Sequence, residues 1–408
     1  MTRLKSWKNL LFAGIALLGI FLMAEMIARI VCWARFSKYH TSFVIQGDSR
    51  WISHPFLVWA NRPKYFDIDN QTQFNEYGMR VAAGEVTMPV KQPDDFWVFL
   101  LGGSAMAGAG SNPNGEWIKM TGVSPHDMAH AIDGYLEAFL QKQLPEKRVR
   151  VFNAAVVWSS IVQSRLMYEI LRPLHPDWII SMDGMNEPTV LSEGASTYQD
   201  LMSRWKTHPV NTFPFLYGRL LMRNSALCFL VGEYFFFRSG IIRNTKNTRQ
   251  DEATIRLWLQ QTENLNPVDS NKTELPDPEA QRRAEEEFLR HLWSFHQILS
   301  QDQQKHLLLI QPHLTLKAPD KFTRIEHALV NYYRSVFPEY PHSFIKAIYD
   351  RVHLDFDANP HIITMDAVHH WDEWIFVDYC HFTREANRKI AQEIGHYIVS
   401  EGNYIPFK

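Results

Sequence analysis

The chain has 408 residues, 46% hydrophobic and 21% charged, with a formal net charge of −2, the composition of a globular protein with room for one large domain or two small ones plus appendages. So small a charge gives no bulk attraction to nucleic acid or anionic lipid, and nucleic-acid binding is disfavoured. Three cysteines, Cys32, Cys228 and Cys380, exclude a disulfide framework and a Cys-rich zinc site. Aromatics reach 13%, with 13 Trp, compatible with a groove facing sugar or lipid, although any single aromatic more often simply packs.

The N-terminus carries Arg3, Lys5 and Lys8, followed by an apolar run from Leu10 to Ala24 that continues, broken by Glu25 and Arg29, to about Trp33. It outruns a secretory h-region and no small-x-small cleavage site follows, so one uncleaved transmembrane signal-anchor helix within 1–40 is expected. Positive residues flank both ends, and the positive-inside rule weakly favours an extracytoplasmic (periplasmic or outer-face) domain. Residues 41–92 are polar, aromatic-rich and turn-rich, and read as a lead-in of short strands packed on the main domain.

The apolar run from Phe96 to Leu101 ends in Gly102-Gly103-Ser104, the pattern of a buried strand opening into a loop. Ser124-Pro125 is expected to cap a helix with apolar positions Met128, Ile132, Tyr135, Leu136, Phe139 and Leu140. A second strand ends at Asn153, a helix runs from Ile161 to about Leu171 until Pro173 and Pro176 stop it, and a third strand, Trp178–Met182, leads into Asp183-Gly184-Met185-Asn186-Glu187. This alternation predicts a parallel, doubly wound α/β sheet. A mostly helical insertion spans about 190–300: an apolar stretch from Ser225 to Ile242, packed on the domain or lying at the membrane surface, a loop from Asn264 to Pro278, and a helix from about Arg282 to Leu299. Strands His306–Ile310 and His361–Thr364 follow, then a solvated loop containing His369-His370-Trp371-Asp372-Glu373. A final helix is capped by Thr383, with Ala386, Ile390, Ile394, Tyr397 and Ile398 as its buried stripe.

The strand ends and the terminal loop thus offer Ser104, Asn186, and Asp378 three residues before His381. A serine hydroxyl needs an imidazole to take its proton, and the imidazole needs an acceptor on its other nitrogen. His381 and Asp378 fit those roles, and the Asn186 amide with the Ser104 N–H could hold an oxyanion. Competing motifs fit less well: the elbow of α/β-hydrolases lacks its closing glycine at Met106, and no Gly-Lys-Ser/Thr follows the glycines.

In four separated blocks across roughly 95–400, the sequence resembles the SGNH/GDSL hydrolase superfamily, in its membrane-anchored bacterial type. Gly102-Gly103-Ser104 with Gly108 is similar to the first block, with Gly103 where an aspartate is usual, and Asn153-Ala154 to Trp158 begins like the second. Gly184-Met185-Asn186-Glu187 is similar to the third, with Glu for Asp, and Asp378-Tyr379-Cys380-His381 to the last. The resemblance implies a three-layer α/β/α, flavodoxin-like domain over 93–400, a Ser104–His381–Asp378 triad, and an oxyanion hole formed by Asn186 and the N–H groups of Ser104 and Trp158. Trp158 stands where the family usually has a glycine, so a glycine-type backbone angle there would be strained. No cofactor or metal is expected.

The resulting expectation is a serine esterase or deacylase acting on O-acyl groups of an envelope glycan or on a lipid-like ester. Two readings stay open beside it: an O-acyltransferase with the same triad acting on an envelope polysaccharide, and a non-catalytic envelope-binding protein on a disabled hydrolase fold.

Overall fold

A computed structural model of the chain describes residues 2–36, 51–54, 56–67, 72–109, 128–187, 225–228, 278–336, 342–404 and 406–407. It forms two compact units, Met1–Trp51 with Ser203–Asn247, and Ile52–Met202 with Thr248–Lys408. Ser124-Pro125, most of the apolar 225–242 stretch and the loop expected at 264–277 lie outside the described residues.

In the first unit, helix α1 (Thr2–Phe36) includes a stretch, Phe12–Val31, long and apolar enough to cross a membrane. The polar groups that interrupt it are satisfied locally. Glu25 pairs with Arg29 one turn on at 2.9 Å, and its carboxylate accepts hydrogen bonds from Ser225 Oγ (2.7 Å) and from the N–H groups of Ala226 (2.9 Å) and Leu227 (3.0 Å). An unpaired charge would be costly among such apolar neighbours.

The second unit is built on a sheet. Strands β1 (Trp51–His54) and β2 (Val58–Asn61) form a two-stranded ribbon. The main sheet comprises β3 (Phe66–Asp67), β4 (Thr72–Phe74), β5 (Arg80–Val81), β6 (Asp95–Gly102), β7 (Arg148–Asn153), β8 (Trp178–Asp183), β9 (Lys305–Ile310) and β10 (Ile362–Thr364). Its order is β10-β9-β8-β6-β7-β5-β4-β3. The strands from β6 to β10 run parallel, as expected. The lead-in does more than pack on this sheet: β5 joins β7 antiparallel, and β4 and β3 extend the edge, so the sheet is mixed.

Helices follow the strands. α2 (Ile132–Gln143) links β6 to β7, and α3 (Ile161–Leu171) links β7 to β8. Further on come α4 (Pro278–Gln301), α5 (Arg324–Val336), α6 (His342–Phe356), α7 (Asp366–His370) and α8 (Arg384–Val399). From β6 the chain steps one way to β7, then crosses back to β8 and continues to β9 and β10. Right-handed crossovers therefore put α2 on one face and α3 and α4 on the other, which gives three layers. α8 packs against α2, while α4 packs against α3, β9 and α6. The reversal of direction leaves a crevice at the C-terminal ends of β6 and β8, where open α/β sheets bind ligands.

Several boundaries differ from expectation. Met128 belongs to a 3-10 turn, Met128–His130, and α2 starts only at Ile132, with Ala131 at its N-cap making no side-chain cap. α5 and α6 go beyond the sequence reading, although the α6 stripe Phe344, Ile345, Ile348, Tyr349 and Val352 is helical in period and buried. His369 is not in a solvated loop: it lies in α7, is 4% exposed, accepts the His313 N–H at 3.2 Å, and burial pushes its pKa down to about 4.

Candidate active site

Ser104 follows β6 directly. Gly102 has φ +131°, and a Cβ there would lie 2.3 Å from the Met182 carbonyl oxygen of the adjacent strand, so glycine alone allows the chain to leave the sheet at this point. The next residues close a tight turn in which the Ala107 N–H donates to the Gly103 carbonyl (3.0 Å) and the Ala109 N–H to that of Ser104 (2.9 Å). Two side chains brace it. Asn153 Nδ2 donates to the Met106 carbonyl at 2.8 Å, and Arg80 Nη1 to that of Ala107 at 2.7 Å. Arg80 is itself held at 2.9 Å by Asp133, both side chains being almost fully buried.

Asp378 and His381 sit in a hairpin closed by a bridge between Phe376 and Phe382. Asp378 Oδ1 accepts the N–H groups of Cys380 and His381, both at 2.8 Å, while Oδ2 lies 2.6 Å from His381 Nδ1. The three-residue spacing thus serves both backbone and ring. His381 Nε2 is 2.6 Å from Ser104 Oγ. With Nδ1 facing a carboxylate, that nitrogen carries the proton and Nε2 is free to accept the serine hydroxyl. Burial works to raise the Asp378 pKa, but the adjacent imidazole and the backbone donors outweigh it and hold the carboxyl below its ordinary value. The hairpin is anchored from below. Gln311 Nε2 donates to the Cys380 carbonyl (2.9 Å), and the Leu314 N–H to that of Tyr379 (2.9 Å). Lys317 and Glu326 form a fully buried ion pair at 2.7 Å. Lys317 Nζ also donates to the Glu373 carbonyl (2.8 Å), and Glu326 Oε1 accepts the N–H groups of Ile375 (3.0 Å) and Phe376 (3.1 Å).

Asn186 enters from the end of β8. Its Nδ2 donates to the Ser159 carbonyl at 2.6 Å, which leaves the second amide hydrogen for another acceptor. Trp158, one residue earlier on the same loop, has φ +66° and a half-exposed side chain. The glycine-type angle expected at this position is therefore present on a tryptophan. Among the described residues no hydrogen bond occupies the N–H of Ser104 or of Trp158.

Beneath this loop, Glu187 Oε1 accepts the Ile161 N–H at 2.8 Å at the start of α3. Burial, reinforced by the neighbouring Asp183, pushes its pKa up to about 7, and burial pushes Asp183, which accepts from Ser164 Oγ at 2.8 Å, up to about 6. Cys380 is 2% exposed, and burial pushes its thiol pKa well up. Among the described residues, ligand-type atoms of Asp378, Cys380 and His381 alone converge within 4.8 Å.

All five expected site residues thus lie at the ends of β6 and β8, on the loop after β7, and in the terminal hairpin. Sequence reasoning missed their supports, Trp59, Arg80, Lys317, Glu326 and Glu187, because no spacing pattern marks a residue whose partner lies far along the chain. Trp59 Nε1 donates to the Val157 carbonyl at 2.9 Å, and Asn61 Nδ2 to that of Ala155 at 3.1 Å, so the lead-in reaches the site loop as well as the sheet edge.

No protein-family model matches the chain, and no curated protein does. Solved structures match at 10 to 12% identity. A protein from Parabacteroides merdae described as a GDSL-like lipase (10% identity, TM-score 0.35) covers 78% of this chain and 100% of its own. An acetylxylan esterase from Geobacillus stearothermophilus (12%, 0.32) covers 78% and 97%. A lipase/acylhydrolase from Enterococcus faecalis (12%, 0.30) covers 75% and 96%. These scores are low, and the reading of the site rests on its own geometry.

Proposed function

We propose that the chain is a serine ester hydrolase of the SGNH/GDSL type, tethered to a membrane by α1 with its catalytic domain on the extracytoplasmic side. The observation that carries this reading is the hydrogen-bonded line from Ser104 Oγ through His381 to Asp378, with 2.6 Å at both links. Ser104 Oγ attacks the ester carbonyl carbon as its proton passes to His381 Nε2, and Asp378 stabilises the imidazolium. The oxyanion is received by the Ser104 and Trp158 N–H groups and the free Asn186 amide hydrogen. Collapse breaks the bond to the alcohol oxygen, which takes the proton from His381. Water then repeats the cycle on the acyl-serine, releasing the carboxylic acid and restoring the hydroxyl. The membrane tether and the aromatic composition favour an O-acyl group on an envelope glycan or a lipid-like ester as substrate.

The test is labelling with a fluorophosphonate, which needs an activated serine. Wild-type protein is expected to label and Ser104→Ala not to. Unlabelled wild type would instead support a binding protein on a disabled hydrolase fold. Mass analysis of a candidate glycan incubated with an acyl donor separates hydrolysis, seen as acyl loss, from transfer, seen as acyl gain.

A further inference from the structure

The Val157–Trp158 peptide is held on its carbonyl side by a residue from outside the hydrolase core. Trp59, on β2 in the lead-in, is 9% exposed, and its indole N–H donates to the Val157 carbonyl at 2.9 Å across 98 residues of sequence. No cis peptide occurs among the described residues, and in a trans peptide the C=O and N–H point in opposite directions. Fixing the Val157 oxygen on Trp59 therefore aims the Trp158 N–H away from β2. The following residue ties that side of the loop to the site, because the Ser159 carbonyl accepts from Asn186 and lies 3.4 Å from where a Gly103 Cβ would be.

The loop needs such a restraint. Trp158 sits at φ +66°, a conformation that costs a non-glycine residue free energy and persists only where the surroundings over-determine it. The simplest relaxation is a flip of the Val157–Trp158 peptide, which would return φ to negative values and reverse the direction of the N–H. A flip would break the Trp59 hydrogen bond. Its neighbours cannot substitute for that bond: Asn61 Nδ2 holds the Ala155 carbonyl (3.1 Å), the Ser159 N–H donates to the Val156 carbonyl (3.0 Å), and Gln163 Nε2 holds the Leu57 carbonyl (2.6 Å), none of which fixes this one plane. Donation to the carbonyl also polarises the amide, making its N–H a better donor to a developing negative charge.

We propose that Trp59 is a positioning residue for the oxyanion hole, acting through the Val157–Trp158 peptide, so that the lead-in completes the active site. This inference rests on the ester-hydrolase reading, and its test separates the two. The detergent-solubilised full chain is assayed with p-nitrophenyl acetate, counting active sites by fluorophosphonate titration. Ser104-dependent turnover by the wild type is the first requirement, and its absence overturns both readings. Trp59→Phe removes the indole donor but keeps an aromatic ring. Substitution by benzothienylalanine, which replaces the ring N–H with sulfur, changes little else and decides the matter if Trp59→Phe folds poorly. Both replacements are expected to lower kcat per titrated serine by about 10- to 100-fold, less than or equal to the loss of a whole oxyanion donor, with KM within about twofold. Affinity for a boronic acid, which mimics the tetrahedral oxyanion, should fall in step with kcat/KM. A merely structural role predicts fewer titratable serines or a lower Tm with normal kcat per site. That result, or kcat within about twofold in the benzothienylalanine protein, overturns the inference while leaving the hydrolase reading intact.

Discussion

Gly103 and Asn186 occupy one space: a Cβ on residue 103 would lie 2.6 Å from Asn186 Nδ2. The absent side chain is what lets the amide reach the Ser159 carbonyl. Because the clashing atom is the end of a movable side chain, Gly103→Ala should displace Asn186 at little cost to stability. We expect Tm within a few degrees of wild type and kcat toward p-nitrophenyl acetate down on the order of 10²-fold, as for loss of one oxyanion donor. Unchanged kcat would remove Asn186 from the oxyanion hole.

Asp378→Asn keeps an oxygen for the two backbone donors but presents an amide or a wrongly protonated partner to His381 Nδ1. The imidazole would then lose its orientation and its Nε2 acceptor. A fall in kcat of about 10³- to 10⁴-fold with near-normal KM is expected, measured by steady-state kinetics. Loss of less than about tenfold would mean that Asp378 does not set the tautomer.

The Lys317 and Glu326 side chains are both 0% exposed and together clamp residues 373–376, just upstream of the Asp378–His381 hairpin. Removing one charge leaves the other buried and unpaired. Lys317→Met should cost about 3–5 kcal/mol in denaturant unfolding, and combining it with Glu326→Gln should recover part of that loss. A cost below about 1 kcal/mol for the single variant would show that water or another group replaces the pair.

Glu187 and Asp183 predict a pH dependence of stability. Their folded pKa values, about 7 and about 6, lie above the ordinary 4.5 and 3.8, so the folded chain retains protons that the unfolded chain releases. Their contribution to stability is fully present below about pH 4 and is lost as pH rises through about 7, amounting to a few kcal/mol at most. Glu187→Gln keeps the acceptor for the Ile161 N–H and should flatten the decline between pH 4.5 and 7 seen in denaturant titrations. A wild-type profile already flat there would contradict the assigned shifts.

At Trp158, φ +66° should make glycine the better-suited residue. Trp158→Gly relieves a left-handed conformation worth about 1–2 kcal/mol, offset by the added freedom of the unfolded chain, and keeps the backbone N–H. Tm should change by no more than a few degrees, with turnover of the small ester preserved. Loss of turnover would show that the half-exposed indole itself takes part in binding.

Much of the fold was legible because it is local. The apolar run into Gly102, the helical period of α3 and the Thr383 cap of α8 are short-range patterns, and their boundaries fall within a residue or two of the expected ones. Asp378 and His381 meet across three residues, so that pairing too is a short-range event. By itself, then, the sequence determined the strand–helix alternation, the apolar N-terminal helix, and which serine, histidine and carboxylate are candidates for chemistry.

Only the tertiary structure decided what those candidates face. Ser104 and His381 meet across 277 residues, and the β5 edge strand, Arg80, Trp59 and the Lys317–Glu326 pair act on loops far from their own positions. The physical reason is that periodicity and turn chemistry report a residue's own backbone. The plane of the Val157–Trp158 peptide, by contrast, is met by a donor, the Trp59 indole N–H, that only the fold brings against the Val157 carbonyl.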